Sequence, residues 1–256
     1  MARFGRLEIA VFALVALAPA AQLAHADPRA DFLAGRSRSC PHCDLSGLNF
    51  KRHDLSGADL SGANLKDANF HDAKLAGARL AGAELSGANL NKASLVRADL
   101  TGATLHGALL YAANLDQAII AGADLSEALM GTAHLTRSDL SYAKLTDVDL
   151  RKGRLAEANL SGANLTGAAL DFAFLRGAQL AGAALVETRL IGTELIEAVL
   201  SGADLTDADA LGASFRGADL SRAKLTRTNL LKANLYETKL GDARFADTTM
   251  PDGTTR

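Results

Sequence analysis

The sequence predicts an all-β solenoid, and three observations carry that prediction. From Leu45 to Leu205 every fifth residue is Leu, Phe, Ile or Met, and the same phase resumes at Phe215 and runs to Met250; Ala210 alone interrupts it. Two places before most of these large residues stands Ala, as in Ser56-Gly57-Ala58-Asp59-Leu60 and the unit that follows it. The third observation is that a spacing of five suits no straight element. On an α-helix, at about 100° per residue, positions five apart are rotated by roughly 140° and share no face. On a continuous strand an odd spacing swaps faces at every step. The conflict disappears if the chain turns once per unit, so that Ala and the large residue point inward from one short extended side. An internal repeat of this kind governs the reading of everything else.

Composition agrees with such a core. Of the 256 residues, 48% are hydrophobic but only 5% are aromatic and none is Trp, so the interior must be built from Leu and Ala. Lys and Arg number 27 against 29 Asp and Glu. That balance calls for no polyanionic partner such as nucleic acid, and it is equally far from the strong acidity of a DNA mimic.

Residues 1–26 read as a secretory signal. Arg3 and Arg6 begin it, Ile9 to Ala18 is apolar, and Ala24-His25-Ala26 is a small-x-small cleavage site. The apolar run is shorter than the roughly 20 residues that span a bilayer, so the expected outcome is export and cleavage after Ala26. The mature chain would then be periplasmic or secreted, without stable membrane insertion. Retention of the segment as an anchor is the alternative.

Residues 27–43 precede the repeats as a cap. Pro28 after Asp27, then Phe32, Leu33 and Gly35, suit a one- to two-turn helix that covers the open end of a solenoid core. Cys40 and Cys43 are the chain's two cysteines, in Cys40-Pro41-His42-Cys43. After export they are expected to pair as a structural disulfide that pins the cap, with Cys43 in the Ala position of the first unit. The alternative is a redox dithiol. The four residues resemble the active site of thioredoxin-like oxidases, but those place the dithiol at a helix N-terminus behind a strand, a pattern not seen around Cys40. A zinc site drawing on His42 and His53 would need an unusual ligand arrangement.

The repeats occupy residues 44–250. Gly stands at the corner in Gly57, Gly62 and many other units, which fits turns with positive φ. Other corners carry Asp67, Lys92, Arg97 or Glu127, so more than one turn type is expected. Ala58-Asp59-Leu60-Ser61-Gly62 and Ala88-Asn89-Leu90 closely resemble the repeats of the pentapeptide-repeat proteins, over about four fifths of the chain. The resemblance implies a right-handed quadrilateral parallel β-helix with four units per coil and about ten coils. Replacing a packed Leu by Ala typically costs about 2 to 5 kcal/mol. Ala210 makes that replacement, so the coil there is expected to leave a void or to bulge. Val148 and Gly153, at successive small positions, mark a second candidate irregularity.

In a coil of 20 residues, positions 20 apart stack on one outer face. Ile191, Leu211 and Leu231 form such an apolar stripe, with Leu109, Tyr111 and Leu129 on the same side further up and Val186, Ile196, Val199 and Tyr236 near its lower part. A stacked stripe is less ordinary than scattered surface apolar residues and is the strongest interaction signal in the chain. Phe172 and Phe174 also face outward.

No catalytic constellation is expected. The six His are scattered, and the many Asp and Asn before the core residues read as solvated or bonded to nearby backbone. No phosphate-binding glycine loop, metal site or cofactor site is predicted. Pro251-Asp252-Gly253 takes the chain out of phase, leaving residues 251–256 as a tail that blunts the last edge. The function that fits is a non-catalytic exported scaffold for protein–protein interaction or self-association, its partner an unidentified protein or a second copy. Two alternatives stand beside it. The first is a DNA-mimic regulator or protector of a topoisomerase, which some members of that family are known for. The second is a thiol-disulfide redox protein using Cys40 and Cys43.

Overall fold

The structure, a computed structural model, describes residues 27–256. Residues 1–26, read above as a secretory signal, lie outside them. From Ser39 onward each residue just before a core residue bridges the residue 20 further on, in parallel: Ser39 with Asp59, Asp59 with Arg79, and so on to Asp219 with Lys239. Five residues between bridges and 20 between partners make four sides per coil. About ten coils at ~4.8 Å each make a rod on the order of 50 Å long. Each side is so short that most ladders are single bridges. Among the described residues, regular strands are confined to β1 (Lys224–Thr226) and β2 (Arg244–Ala246), which pair in parallel with Leu225 opposite Phe245.

One unit shows why the repeat has its composition. Asp59 N–H donates to Arg38 O in the coil before, at 2.8 Å, while Leu60 N–H and Gly62 N–H donate to Arg79 O and Ala81 O in the coil after, both at 2.8 Å. Ala63 N–H closes the turn onto Leu60 O at 3.1 Å. One donor of the five is left, that of Ser61, and it goes to Asp59 Oδ1 at 3.2 Å, with the Ser61 hydroxyl on the same oxygen at 2.7 Å. The Asp or Asn before the core residue is therefore the acceptor that completes the backbone accounting. The sequence expectation of bonding to nearby backbone holds in many units.

The corners differ from expectation. Every corner from His42 to Asp247 has positive φ, whether it is Gly or one of 25 other residues, whose φ lies between 53° and 60°. A single turn geometry repeats around the rod, because the stacked hydrogen bonds impose one backbone path on every coil. The sequence reading of several turn types took each corner residue separately and missed that imposed uniformity.

The Ala and Leu, Phe, Ile or Met positions fill one continuous core that is buried almost throughout. Ala210 is fully enclosed, and Asp209 bridges both Arg189 and Asn229 beside it, so the coil does not bulge. The ladder also passes Val148 and Gly153 without a break. Where Thr replaces Ala, its hydroxyl is not stranded: Thr188, Thr193 and Thr228 donate to Leu165 O, Leu170 O and Leu205 O at 2.9, 2.8 and 2.7 Å, tying one coil to the one before.

The N-terminal end is closed by α1 (Pro28–Leu33). Its Asp27 cap accepts from Arg29 N–H at 3.0 Å, and its buried Phe32 meets Phe50 edge-on at 6.1 Å between ring centroids. Phe50 in turn stacks on Phe70 at 5.2 Å. The first coil would otherwise leave upward-facing carbonyls bare. Arg29 Nε reaches Asp44 O at 2.7 Å and Arg38 Nη1 reaches Ser56 O at 2.6 Å. Cys40 and Cys43 form a disulfide in the turn below, and it is Cys40, not Cys43, that is fully buried. At the other end the tail folds back, Thr249 pairing antiparallel with Thr255 and Arg256 lying over the Phe245 ring at 4.3 Å.

Candidate functional site

The outward side chains divide by column, because residues 20 apart lie one above another. One corner carries, in order down the rod, Tyr111, Gly131, Arg151, Asp171, Ile191, Leu211, Leu231 and Pro251. The stacking of its lower part is explicit in the backbone: Gly192 N–H donates to Leu211 O and Gly212 N–H to Leu231 O, each at 2.9 Å, and Lys232 N–H to Pro251 O at 3.0 Å. Ile191, Leu211 and Leu231 thus share one corner, as the spacing predicts. Each is half-buried. Four exposed apolar side chains stand higher on the same corner and its flanks, Tyr111 at 53% exposure, Leu129 at 48%, Phe172 at 55% and Phe174 at 42%, while Ile119, Tyr142 and Tyr236 are exposed on other columns of the rod. The Phe172 ring lies over Gly192, one coil on, and Phe174 walls a small hollow with Thr136, Arg154 and Ala156.

Between Tyr111 and Arg151 the corner opens into a groove of 560 Å³. Leu109 and Leu129, bridged to each other on adjacent coils, floor it. Gly131 leaves it open. Its φ is not positive, so no backbone demand puts a glycine there, and a Cβ would stand 3.4 Å from Tyr111 Cδ2. The lower end is charged. Arg151 grips Asp149 through Nε at 2.8 Å and Nη2 at 2.6 Å, which holds the Asp149 carboxyl below its ordinary range. Below them Asp171 is 3% exposed. Arg189 Nη2 stands 2.8 Å from its Oδ2, yet neither carboxylate oxygen has an aligned hydrogen bond.

Sequence reasoning placed Leu109, Tyr111 and Leu129 on this side but missed the groove and the Arg151 cluster. The available signal was Gly131, a glycine at the first corner position, where the turn does not need one.

Elsewhere the charges alternate. Arg79 pairs with Asp59, Arg137 with Glu157 and Arg227 with Asp207, each across one coil. Among the described residues, no three His, Cys, Asp or Glu side chains converge to hold a metal ion, and no helix is long and apolar enough to cross a membrane. His42 lies over Gly62 and His53 packs edge-on against Phe50, so the two do not form a ligand set with the disulfide cysteines.

Comparison with known proteins agrees with this architecture. Eight copies of the family model described as pentapeptide repeats match the chain, the first at residues 43–80 and the last at 213–250. Among solved structures, the chain is similar to HetL, a pentapeptide repeat protein involved in heterocyst differentiation regulation from the cyanobacterium Nostoc, with 32% identity over 89% of this chain and 97% of that one and a TM-score of 0.48. A pentapeptide repeat protein of the Arabidopsis thaliana thylakoid lumen is 34% identical over 46% of this chain and 72% of that one, with a TM-score of 0.29. QnrB1, a plasmid-mediated fluoroquinolone resistance protein, is 22% identical over 72% of this chain and 90% of that one, with a TM-score of 0.36. No curated protein matches.

Proposed function

This chain belongs to the pentapeptide repeat family, whose fold is a right-handed quadrilateral β-helix and whose members are generally non-catalytic scaffolds. On that premise we propose that it is an exported scaffold that binds a protein partner, or a second copy of itself, along the corner from Tyr111 to Leu231. The observation that carries this reading is the concentration of outward apolar side chains there: Tyr111, Leu129, Phe172 and Phe174 exposed, then Ile191, Leu211 and Leu231 stacked below them. A rigid, hydrogen-bonded coil holds such side chains at fixed spacing, so little ordering entropy is lost when a partner docks. The double substitution Leu211→Arg with Leu231→Arg tests the reading by light scattering and cross-linking. Loss of the associated species supports it, and an unchanged association state with unchanged partner capture overturns it.

Export rests on the composition of residues 1–26. Sequencing the N-terminus of protein recovered from an extracytoplasmic fraction should find Asp27 first; a cytoplasmic chain that begins with the uncleaved segment would refute export. The described surface favours the scaffold over DNA mimicry, because Arg79, Arg137 and Arg227 each sit beside a carboxylate and divide any acidic face. A redox role for Cys40 and Cys43 is disfavoured by the complete burial of Cys40 beneath the cap.

A further inference from the structure

We propose that the groove between Tyr111 and Arg151 takes the C-terminal end of a partner polypeptide, its last apolar side chain on Leu109 and Leu129 and its terminal carboxylate against Arg151 and Lys152. The inference deepens the scaffold reading and rests on it. Four observations choose this occupant.

The groove has the length of a short extended peptide. Asn91, Tyr111, Gly131 and Arg151 follow one another down the corner, one per coil. Three coil spacings are about 14 Å, the span of roughly four residues at ~3.3 Å each.

Its polarity is graded in the same direction. The floor is Leu109 and Leu129, with the Tyr111 ring as a wall, and the charged end lies below. There Arg151, Lys152 and Arg189 face Asp149 and Asp171, a cluster one positive charge in excess that a single carboxylate would neutralise. Arg151 spends Nε and Nη2 on Asp149, which leaves Nη1 uncommitted, and Lys152 has no ion pair among the described residues.

A main-chain donor is left over at the centre. In the units that carry Asp or Asn before the core residue, that side chain commonly takes the first corner N–H two places on. At Gly131 that place is Leu129, which cannot accept, and among the described residues Gly131 N–H has no partner. Tyr111 faces the same deficit after Leu109 and is satisfied instead by Asn91 Oδ1 at 2.8 Å. The donor at Gly131 suits a peptide carbonyl, and a hydrocarbon chain has no group to offer it.

Finally, the opening depends on one residue. Any longer side chain at Gly131 would enter the space between Tyr111 and Arg151. The absence of a positive φ there means that a substitution fills the groove without straining the turn.

Fluorescence anisotropy with the purified protein tests this, using an N-terminally labelled Gly-Ser-Ala-Leu tetrapeptide with a free carboxylate and the same peptide as its carboxamide. The free acid is expected to bind saturably and at least tenfold more tightly than the amide. Lys152→Gln should weaken it several-fold, and Gly131→Leu should abolish it while the melting curve stays that of the parent. Octanoate should fail to displace the peptide. Equal binding of acid and amide, no saturable binding at millimolar peptide, indifference to Gly131→Leu, or displacement by octanoate at equal affinity would each overturn the assignment. Should these peptides fail while Leu211→Arg with Leu231→Arg still abolishes association, the groove proposal falls and the scaffold reading stands.

Discussion

The ring of Tyr142 lies across Gly162, one coil further on, so closely that a Cβ on that glycine would stand 2.7 Å from Tyr142 Cε1. Gly162 also has φ of 66°, so it meets two separate demands, whereas Gly182, at φ 65°, meets nothing within 4 Å and answers only to the backbone. Comparing the two separates conformational from steric cost. Gly182→Ala should lose about 1 kcal/mol from left-handed strain alone. Gly162→Ala should lose distinctly more, because the tyrosine ring must also move. Equal changes in urea midpoint would show that the ring contact contributes nothing.

The 25 corners that place a side-chain-bearing residue at positive φ invite the reverse substitution. At Lys92 the side chain is exposed at the corner and has no hydrogen bond or ion pair among the described residues, so Gly removes left-handed strain at the cost of added freedom in the unfolded chain. A net gain of about 0.5 kcal/mol is expected there, and less at Arg97, whose Nε donates to Gln117 Oε1 at 2.9 Å. Thermal unfolding of Lys92→Gly checks the sign; a lower midpoint would mean that the stacked hydrogen bonds already relieve the strain.

Thr228 is enclosed, and its hydroxyl donates to Leu205 O at 2.7 Å. Thr228→Val keeps the branched shape, which Val148 shows the core accepts at an equivalent position. Leu205 O keeps its bond from Ala208 N–H at 3.0 Å, so no carbonyl is orphaned and the loss should be only about 1 kcal/mol. Thr228→Ala should cost more, by the methyl group removed. A larger loss for Val than for Ala would contradict this account.

Hydrogen bonding from Arg79, seconded by Ser61, lowers the Asp59 carboxyl to about 2 in the folded protein. In the unfolded chain an Asp titrates near ~3.9. The folded value is the depressed one, so the stabilisation is complete above about pH 4 and is lost as the pH falls from there through about 2. Arg79→Gln should therefore cost a modest amount of stability at neutral pH, as expected for an exposed pair, with the loss shrinking as the pH falls toward about 2 and the acid-unfolding midpoint moving upward. An unmoved acid midpoint would remove this pair from the account of acid stability.

Cys40 and Cys43 close a turn three residues apart beneath α1. A loop that short contributes roughly 2 kcal/mol by chain entropy. Cys40→Ser with Cys43→Ser should thus loosen the cap and the first coil, and raise amide exchange at Leu45 and Leu60, without altering exchange at Leu170. Uniform acceleration along the rod would show that the cap and the distant coils unfold as one unit, against the nearest-neighbour behaviour of solenoids.

By itself the sequence determined the architecture of this protein. A five-residue apolar period admits only a chain that turns at every unit, and it assigns Leu60 and Ala58 inward and Asp59 outward before any coordinates are seen. It also placed Ile191, Leu211 and Leu231 in one column once the coil was taken as 20 residues. What only the tertiary structure decided lies in the contacts between coils. The sequence reads each corner as a local choice, yet His42 and Asp247 share one backbone conformation because hydrogen bonds from the stacked coils hold them in it. Leu129 reads as one exposed leucine, and Gly131 as one more glycine. Only stacking sets them beside Tyr111 and above Arg151, where a missing acceptor and a missing side chain together make a groove. Periodicity is carried by residue type and survives in a single strand of text, whereas a groove is a relation among residues 20 apart and exists only when the coils are laid on one another.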